Sequence, residues 1–357
     1  MVSMFMTMFF SIIIAPFLYL LYIIRQFPFI YKLGFSIISL IALGTMFTKI
    51  VFKIDNNFFF IISKVSQFYI IFMIIMAIFC LIFQIVNHFV SIPYQGRFYI
   101  GLIVIALLIT GIGFYSHDYK TIKNYEIFVN KDSQLKELNV GMLSDIHLGT
   151  GTYIPDLEKL VQQINSKNYD VYFLCGDIFD EGTPETMINP ALKILSQIQT
   201  KYGTYAVSGN HEYYANLLDA SPYVENNIHY LSDTYVSIQG LFNIVGREDE
   251  TLKDGLTMEE ICKDIDTSLP TFVLDHNPRR YKDSIPFVDV QFSGHTHNGQ
   301  FFPGSLITNR MYDNAYGLLQ KDSYSLIVSS GYGSWGFPFR LLTNCELVET
   351  KVTFSKK

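Results

Sequence analysis

The chain has 357 residues, of which 50% are hydrophobic and 16% are charged, whereas about 25% are charged in a typical soluble domain. Residues 1–117 hold six basic residues and one acidic residue (net +5), and the other 240 hold 20 basic and 31 acidic residues (net −11). The acidic second part argues against a broad nucleic-acid surface, which requires a basic face, so no stable nucleic-acid partner is expected. The four widely spaced cysteines indicate neither a disulfide framework nor a zinc finger.

The first 116 residues are predicted to form a transmembrane helical region. A transmembrane helix needs about 20 predominantly apolar residues, and a soluble helix with an uncharged run of that length would expose apolar surface on every side. The first apolar run lacks the basic start and the small-residue cleavage site of a signal peptide. The sequence therefore predicts an integral, multi-pass protein of the cell membrane, with the lipid bilayer as a partner and spans at about 4–24, 33–50, 67–87 and 98–116.

Four spans would place the N-terminus and the C-terminal part on the same side of the membrane. The polar segments on that side carry five lysines: Lys49, Lys53, Lys64, Lys120 and Lys123. The loops on the other side would carry three basic residues: Arg25, Lys32 and Arg97. Under the positive-inside rule, this count weakly favours a cytoplasmic C-terminal domain, but a difference of two residues leaves the side open.

After a predicted linker at 117–137, with a short strand around Glu126–Asn130, the pattern from residue 138 to the C-terminus becomes regular. Apolar strands alternate with amphipathic helical stretches, one of them expected to begin at Pro190, and this alternation is typical of a layered α/β domain. Five of the strands end in side chains that can bind metal ions. In open α/β sheets, ligands gather at the carboxyl ends of the strands.

The side chains at these strand ends predict a site for two divalent metal ions. Asp145 and His147 alternate along what reads as an extended segment, which would point both the same way, and the same argument pairs His295 with His297. The two oxygens of Asp177 can bridge two ions. A carboxylate, amide and imidazole set without thiolate suits Mn, Fe or Zn and does not suit a structural zinc. The predicted ligands are Asp145, His147, Asp177, Asn210, His276, His295 and His297.

Two ions about 3.5–4 Å apart can polarise a phosphoryl group and activate a water molecule for in-line attack, so no protein nucleophile is required. His211 follows Asn210 and points elsewhere, which makes it the predicted general acid at the leaving oxygen. Glu212 is predicted to orient the His211 ring.

The motifs that carry these residues resemble those of the calcineurin-like metallophosphoesterases over residues 138–357. The resemblance implies a four-layer α-β-β-α sandwich, with one ion held by Asp145, His147 and His297. It also implies a second ion held by Asn210, His276 and His295, Asp177 as the bridge, and His211 as the residue that assists the leaving group. The matching motifs are SDIHLG at 144–149, GDIFD at 176–180, GNHE at 209–212, LDHNP at 274–278 and GHTHNGQ at 294–300.

The closing stretch SSGYGSWGFPFRLLTNCELVETKVTF is similar to the tail of a membrane-anchored bacterial branch of this family. The resemblance implies that Arg340 and the Gly331–Gly336 loop border the substrate. It favours a metal-dependent hydrolase acting on a phosphomonoester or phosphodiester, with a lipid-linked or cell-envelope phosphate among the candidate substrates. Two alternatives stay open: a catalytically idle membrane sensor or scaffold with the same fold, and a nuclease or cyclic-nucleotide phosphodiesterase.

Overall fold

The computed structural model describes residues 2–54, 56–93, 95–131 and 133–355. It divides the chain into two compact units, Met1–Tyr115 and Ser116–Lys357. The first unit consists of helices α1 Val2–Ile23, α2 Phe29–Phe52, α3 Asn57–Val90 and α4 Gln95–Asp118, the last of which continues into the second unit.

Among the described residues, three segments are long and apolar enough to cross a membrane, namely Phe29–Lys49, Phe58–Val90 and Gln95–Asp118. A shorter apolar segment, Ile13–Gln26, runs from α1 into the 3-10 turn that follows it. This unit carries large apolar side chains on its outside: Phe29 and Phe58 are each 72% exposed and Phe89 is 79% exposed. A water-soluble bundle would bury such side chains, whereas a hydrocarbon environment accommodates them. Each predicted span overlaps one helix.

Helix boundaries in this unit follow from the residues at the ends. The side chain of Asn56 caps α3 by accepting hydrogen bonds from the backbone N–H groups of Phe58 (2.9 Å) and Phe59 (3.2 Å). Lys53 ends α2 and Ser91 ends α3, each in the left-handed conformation that closes a helix.

The second unit contains two six-stranded sheets. The strands of the first sheet are β1 Lys120–Val129, β2 Glu137–Leu143, β3 Val171–Cys175, β4 Thr204–Val207, β5 His229–Tyr230 and β12 Cys345–Phe354, in the order β1-β12-β2-β3-β4-β5. The strands of the second are β6 Thr234–Ile238, β7 Phe242–Gly246, β8 Thr271–Leu274, β9 Val290–Ser293, β10 Gly317–Lys321 and β11 Tyr324–Val328, in the order β10-β11-β9-β8-β7-β6. Strands β2 to β5 pair in parallel, as do β7, β8, β9 and β11.

Strand β3 shows how the layers are built. Its residues Val171, Phe173 and Cys175 face the core between the two sheets, where Phe173 meets Phe272 and Phe292 of the other sheet. The alternate residues Tyr172 and Leu174 face the opposite way, into a second core, as the two-residue period of a strand requires.

Helices cover the outer faces of both sheets. The α-helices of this unit are α5 Ile154–Asn165, α6 Glu185–Leu195, α7 Asn210–Ala215, α8 Ser221–Glu225, α9 Met258–Cys262, α10 Tyr281–Ser284 and α11 Gly304–Met311. Helices α5 and α6 pack on the first sheet, and α9 and α10 pack on the second. The predicted four-layer α-β-β-α sandwich, preceded by apolar helices, is confirmed.

Two local predictions differ from the structure. Residues 117–137, predicted as a linker with a short strand, contain the full strand β1, which pairs in parallel with β12 along its whole length. Most β1 side chains are at least partly exposed, so the strand lacks a strong apolar alternation. Helix α6 begins at Glu185 instead of Pro190, which lies inside it; the earlier start buries Met187.

Candidate metal centre

The candidate ligands lie just beyond the carboxyl ends of strands in both sheets. Asp145 follows β2 and Asp177 follows β3, each by two residues; Asn210 follows β4 by three. In the second sheet, His276 and His295 follow β8 and β9 by two residues each. Because these strands run parallel within their sheets, all five side chains gather at matching strand ends.

One cluster consists of Asp145, His147 and His297, whose ligand atoms lie within 4.8 Å of one another. The Nε2 atoms of the two histidines are 3.0 Å apart, and Oδ1 of Asp145 lies 3.5 Å from Nε2 of His297. All three residues are buried.

A second cluster consists of Asp177, His276 and His295, again within 4.8 Å. Oδ2 of Asp177 lies 3.0 Å from Nε2 of His276, and Nδ1 of His295 lies 2.7 Å from Oδ1 of Asn210. Asp177 also forms a compact group with His147 of the first cluster and with His211. The structure therefore brings all seven residues together with Asp177 in the middle; that they bind metal ions stays a prediction.

The chemistry of the donor set fits a cation. Nδ1 of His276 lies 2.8 Å from the carbonyl oxygen of Cys175, and a carbonyl can only accept a hydrogen bond, so Nδ1 carries the proton of the neutral ring. Nε2 is then a lone pair that faces the Asp177 carboxylate, and it is buried without a hydrogen-bond partner. Two buried acceptors at this distance require a positive charge between them, which a metal ion or a proton supplies. Metal-binding histidines characteristically donate their other N–H to such a carbonyl.

The prediction that the paired ligands lie on extended backbone was wrong. Asp145 and His147 are not extended but have φ angles of 55° and 48°, and His295 and His297 have φ angles of 71° and 51°. The left-handed conformation is rare for residues with a side chain and costs of order 1–3 kcal/mol where it occurs outside glycine. These four side chains converge because the surrounding loops impose this conformation, and strand alternation plays no part.

Two glycines permit the close approach of the loops. A Cβ on Gly294 would lie 1.7 Å from the hydroxyl oxygen of Ser144 and 2.3 Å from Oδ2 of Asp145. A Cβ on Gly209 would lie 2.2 Å from Oδ1 of Asp177. Any larger residue at either position would displace a candidate ligand.

His211 lies at the edge of the clusters, but its predicted orienting residue was wrong. Its Nδ1 atom contacts Oε2 of Glu181 at 2.8 Å. Glu212 instead accepts hydrogen bonds from the backbone N–H groups of Asp177 (2.9 Å), Phe179 (2.9 Å) and Gly209 (2.8 Å). Gly209 is the N-cap of α7, and Asp177 and Phe179 lie in the loop after β3, so Glu212 joins two ligand loops.

Charge explains the protonation of the His211 ring. Burial opposes protonation, but the carboxylates of Asp177 and Glu181 outweigh it and raise the pKa of His211 to about 9. Its side chain is 12% exposed, and the rings of Trp335 and Tyr214 flank it at 6.1 and 5.7 Å.

Asp180 was missed as a functional residue, although it closes the GDIFD motif. Its Oδ2 atom lies 3.7 Å from Nδ1 of His147 and accepts a hydrogen bond from the Thr150 hydroxyl at 2.7 Å. Burial would raise the pKa of Asp180, but the His147 ring and the Thr150 hydroxyl lower it to about 2. Asp180 is thus a carboxylate behind His147, in the position that orients a metal-binding imidazole. The sequence feature that could have indicated Asp180 is its position directly after two apolar residues, Ile178 and Phe179, which are buried.

The expectation that Arg340 borders the substrate was wrong. Arg340 is fully buried, and its guanidinium donates to the carbonyl oxygens of His297 (2.7 Å), Ser330 (2.7 Å) and Gly333 (2.6 Å). It also lies 3.0 Å from Nδ1 of His297. These carbonyls and the Ser334 hydroxyl take four of the five guanidinium donors, and the side chain is buried away from any substrate in solution. Arg340 instead ties the Gly331–Gly336 loop to His297.

Residues 138–299 match the family model of the calcineurin-like phosphoesterases. An uncharacterized metallophosphoesterase of Helicobacter pylori is 31% identical over 237 residues, which cover 63% of this chain and 62% of that protein. A Bos taurus transmembrane protein with metallophosphoesterase domain is 27% identical over 236 residues, covering 60% and 53%. An uncharacterized metallophosphoesterase of Aquifex aeolicus is 29% identical over 252 residues, covering 66% and 94%.

The alignment spans about three fifths of the Helicobacter pylori protein and nearly all of the Aquifex aeolicus one. The matched part of this chain is therefore close to the whole of one relative. The family resemblance predicted from the motifs is confirmed for this domain.

Proposed function

We propose that the second unit hydrolyses phosphoesters with two divalent metal ions, and the match of residues 138–299 to the calcineurin-like phosphoesterase family model supports this. The observation that carries this proposal is the joining of two His and Asp clusters through the single carboxylate of Asp177. One ion would take Asp145, His147 and His297, and the other Asn210, His276 and His295. Bound there, the ions would supply Lewis acidity and a water molecule with a lowered pKa.

The protein's own residues would prepare this site before substrate binds. Glu212 fixes the loops that carry Asp177 and Asn210, and Asp145 receives the backbone N–H of His295 at 3.0 Å, which joins the two sheets at the site. Preorganised ligands of this kind need no rearrangement when charge develops on the phosphoryl oxygens.

His211 would act on the leaving group. Its ring packs edge-on against His147 at 4.9 Å, and its backbone N–H donates to Oδ1 of Asp177 at 2.9 Å, so its position is fixed relative to both clusters. Glu181 holds Nδ1, which leaves Nε2 to donate a proton to the departing oxygen. General acids contribute about 10²–10⁴-fold to a rate.

Two measurements on the full-length protein test the catalytic proposal. The first is the metal content after purification and after chelation. The second is the hydrolysis of nitrophenyl monoesters and diesters in the presence of Mn, Zn or Mg. Both should depend on Asp177. We expect Asp177→Asn to lose metal and activity, and His211→Gln to retain metal while losing about 10²–10⁴-fold in kcat. Asp219→Asn and His229→Gln, both at exposed positions outside the clusters, are the matched controls.

The outcomes separate the alternatives. Metal binding that requires Asp177, with no turnover on any phosphoester, would identify an idle sensor or scaffold and contradict the catalytic proposal. Activity confined to oligonucleotides or cyclic nucleotides would identify the nuclease or cyclic-nucleotide alternative. Activity that survives both substitutions would place the reaction elsewhere in the chain.

We further propose that the apolar helices anchor the enzyme in the cell membrane and that its substrates include lipid-linked phosphates. Support comes from three helices long and apolar enough to span a bilayer, and the Bos taurus relative is named as a transmembrane protein. Alkali-resistant sedimentation with membranes and a reporter fused to the C-terminus would test anchoring and side. We expect a cytoplasmic reporter signal; a protein that alkali extracts would contradict anchoring.

A further inference from the structure

An apolar surface lies beside the candidate metal centre, and nothing in the described part of the chain covers it. We call it the α11 patch: Phe301, Phe302, Leu306, Ile307, Met311 and Leu342, which are 44%, 50%, 56%, 59%, 55% and 80% exposed. Its two segments are joined, because Phe301 forms a β-bridge with Leu341 and the backbone N–H of Phe302 donates to the Leu341 carbonyl at 3.0 Å. The patch is therefore one surface and not scattered residues.

The side chains of the α11 patch contribute little buried apolar surface to the fold. Helix α11 has no buried residue, although a surface helix normally buries its apolar face. Leu342 adds to this: it has a φ angle of 60°, which is uncommon for a residue with a side chain, and it is the most exposed large hydrophobic residue of the patch. Clustered exposed apolar residues of this kind mark an interaction surface.

The charge pattern around the patch indicates an anionic partner. The part of the chain after residue 117 holds 31 acidic residues, yet segments 290–312 and 323–345, which contain the patch, hold none. Arg310 is exposed on α11 itself. The nearest acidic residue in sequence, Asp313, pairs with Lys282 at 2.7 Å. An apolar helix face that carries a basic residue is the pattern of a helix that lies in a membrane interface.

The patch is continuous with the rim of the metal centre. Tyr312, directly after α11, packs its ring 6.1 Å from that of His295. On the other side, the amide of Gln300 exchanges two hydrogen bonds of 2.9 Å with the backbone of Trp335, and the Trp335 ring lies 6.1 Å from His211. A surface bound to the patch would therefore lie next to the opening of the centre.

We propose that the α11 patch docks onto the surface of a phospholipid bilayer, with Phe302, Ile307 and Leu342 inserted among the upper acyl chains and Arg310 at the headgroup phosphates. The occupant is a bilayer because the same chain carries three helices long and apolar enough to span one. This docking does not depend on the catalytic proposal, and it would hold the opening of the metal centre at the lipid surface.

Site-specific fluorescence on the full-length protein tests the docking. All four native cysteines are buried, so an introduced exposed cysteine can be labelled selectively with an environment-sensitive dye. Ile307→Cys reports on the patch, and Val224→Cys, at a position 62% exposed in the same unit, is the matched control. Both variants are placed singly in nanodiscs of phosphatidylglycerol and phosphatidylcholine, with or without lipids that carry a nitroxide on the acyl chain.

We expect the dye at position 307 to shift its emission to the blue and to lose fluorescence with nitroxide lipids, while the dye at position 224 does neither. Equal behaviour at both positions would overturn the proposal. A blue shift that appears only when several copies share one vesicle, and never in single-copy nanodiscs, would assign the patch to a second copy of this chain and overturn it as well. Met311→Cys gives an independent reading if Ile307→Cys does not fold, and Arg310→Glu should reduce the quenching.

Discussion

Replacement of Arg340 tests whether its buried hydrogen bonds stabilise the loop beside the candidate metal centre. Its side chain supplies the carbonyl oxygens of His297, Ser330 and Gly333 with donors, and its Nε donates to the hydroxyl of Ser334 at 3.0 Å. Arg340→Met keeps a shorter, unbranched side chain and removes every donor. We expect the protein to fold with a lower free energy of unfolding, because the Ser330 carbonyl would lose its partner and the Gly333 carbonyl would keep only the weak Cys345 thiol at 3.3 Å. The His297 carbonyl would keep the backbone N–H of Gln300 at 2.8 Å.

The magnitude follows from the carbonyls of Ser330 and Gly333. A buried polar group left without a partner costs about 1–3 kcal/mol, so two would cost about 2–6 kcal/mol. Because the substitution also removes a buried charge that was expensive to desolvate, we expect the lower half of that range, about 2–4 kcal/mol. A domain of this size loses about 2–4 °C in Tm per kcal/mol, so the domain should melt roughly 4–16 °C earlier.

Thermal unfolding of the full-length protein with a thiol-reactive dye measures this change, since all four cysteines are buried until the chain opens. Arg279→Met is the control: its side chain is 48% exposed and pairs with Glu250 at 3.2 Å, an interaction worth about 0–1 kcal/mol. If Arg340→Met and Arg279→Met melt at the same temperature, the guanidinium does not hold the loop in the way the hydrogen bonds indicate. Arg340→Lys should lie between the two.

Three further predictions concern residues around the clusters. Glu181→Gln should lower kcat less than His211→Gln, with unchanged metal content, because the amide still contacts the ring; an equal or larger loss would contradict a positioning role. Gly294→Ala should reduce metal occupancy, measured by elemental analysis, since its Cβ would meet Ser144; full occupancy would show that the loop relaxes freely. Glu212→Gln should cost about 1–3 kcal/mol in thermal unfolding, because one amide oxygen cannot serve three N–H groups; parental stability would exclude that role.

The layered fold could be predicted because its strands are short, buried and chemically uniform. Strand β3 is apolar at every position, and it is bounded by polar residues that mark its ends in the sequence. An edge strand gives no such signal. In β1 only Ile127 and Val129 are buried, because the strand lies at the margin of its sheet, and its pairing with β12 joins segments more than 200 residues apart.

The candidate ligands could be named from the sequence because the chemistry of a metal ion restricts which residues can serve. Carboxylate and imidazole groups at successive strand ends are rare enough in combination to be informative, and the structure brings Asp145 and His297 together across 152 positions of the chain. The local geometry could not be predicted. Five candidate ligands adopt positive φ angles, and nothing in an Asp or His residue indicates a left-handed conformation before the loops that impose it are known.

The residues that position the ligands could not be recognised, since their partners are main-chain atoms. Glu212 binds three backbone N–H groups and Arg340 binds three backbone carbonyls, and every residue other than proline offers both kinds of group. His117 adds a side-chain contact to the Arg340 network: it is buried against the Ser334 hydroxyl at 2.9 Å, and Ser334 in turn accepts from Arg340. A ligand is restricted by its own chemistry, whereas a positioning residue is restricted by the shape of a loop, and only the folded chain contains that shape.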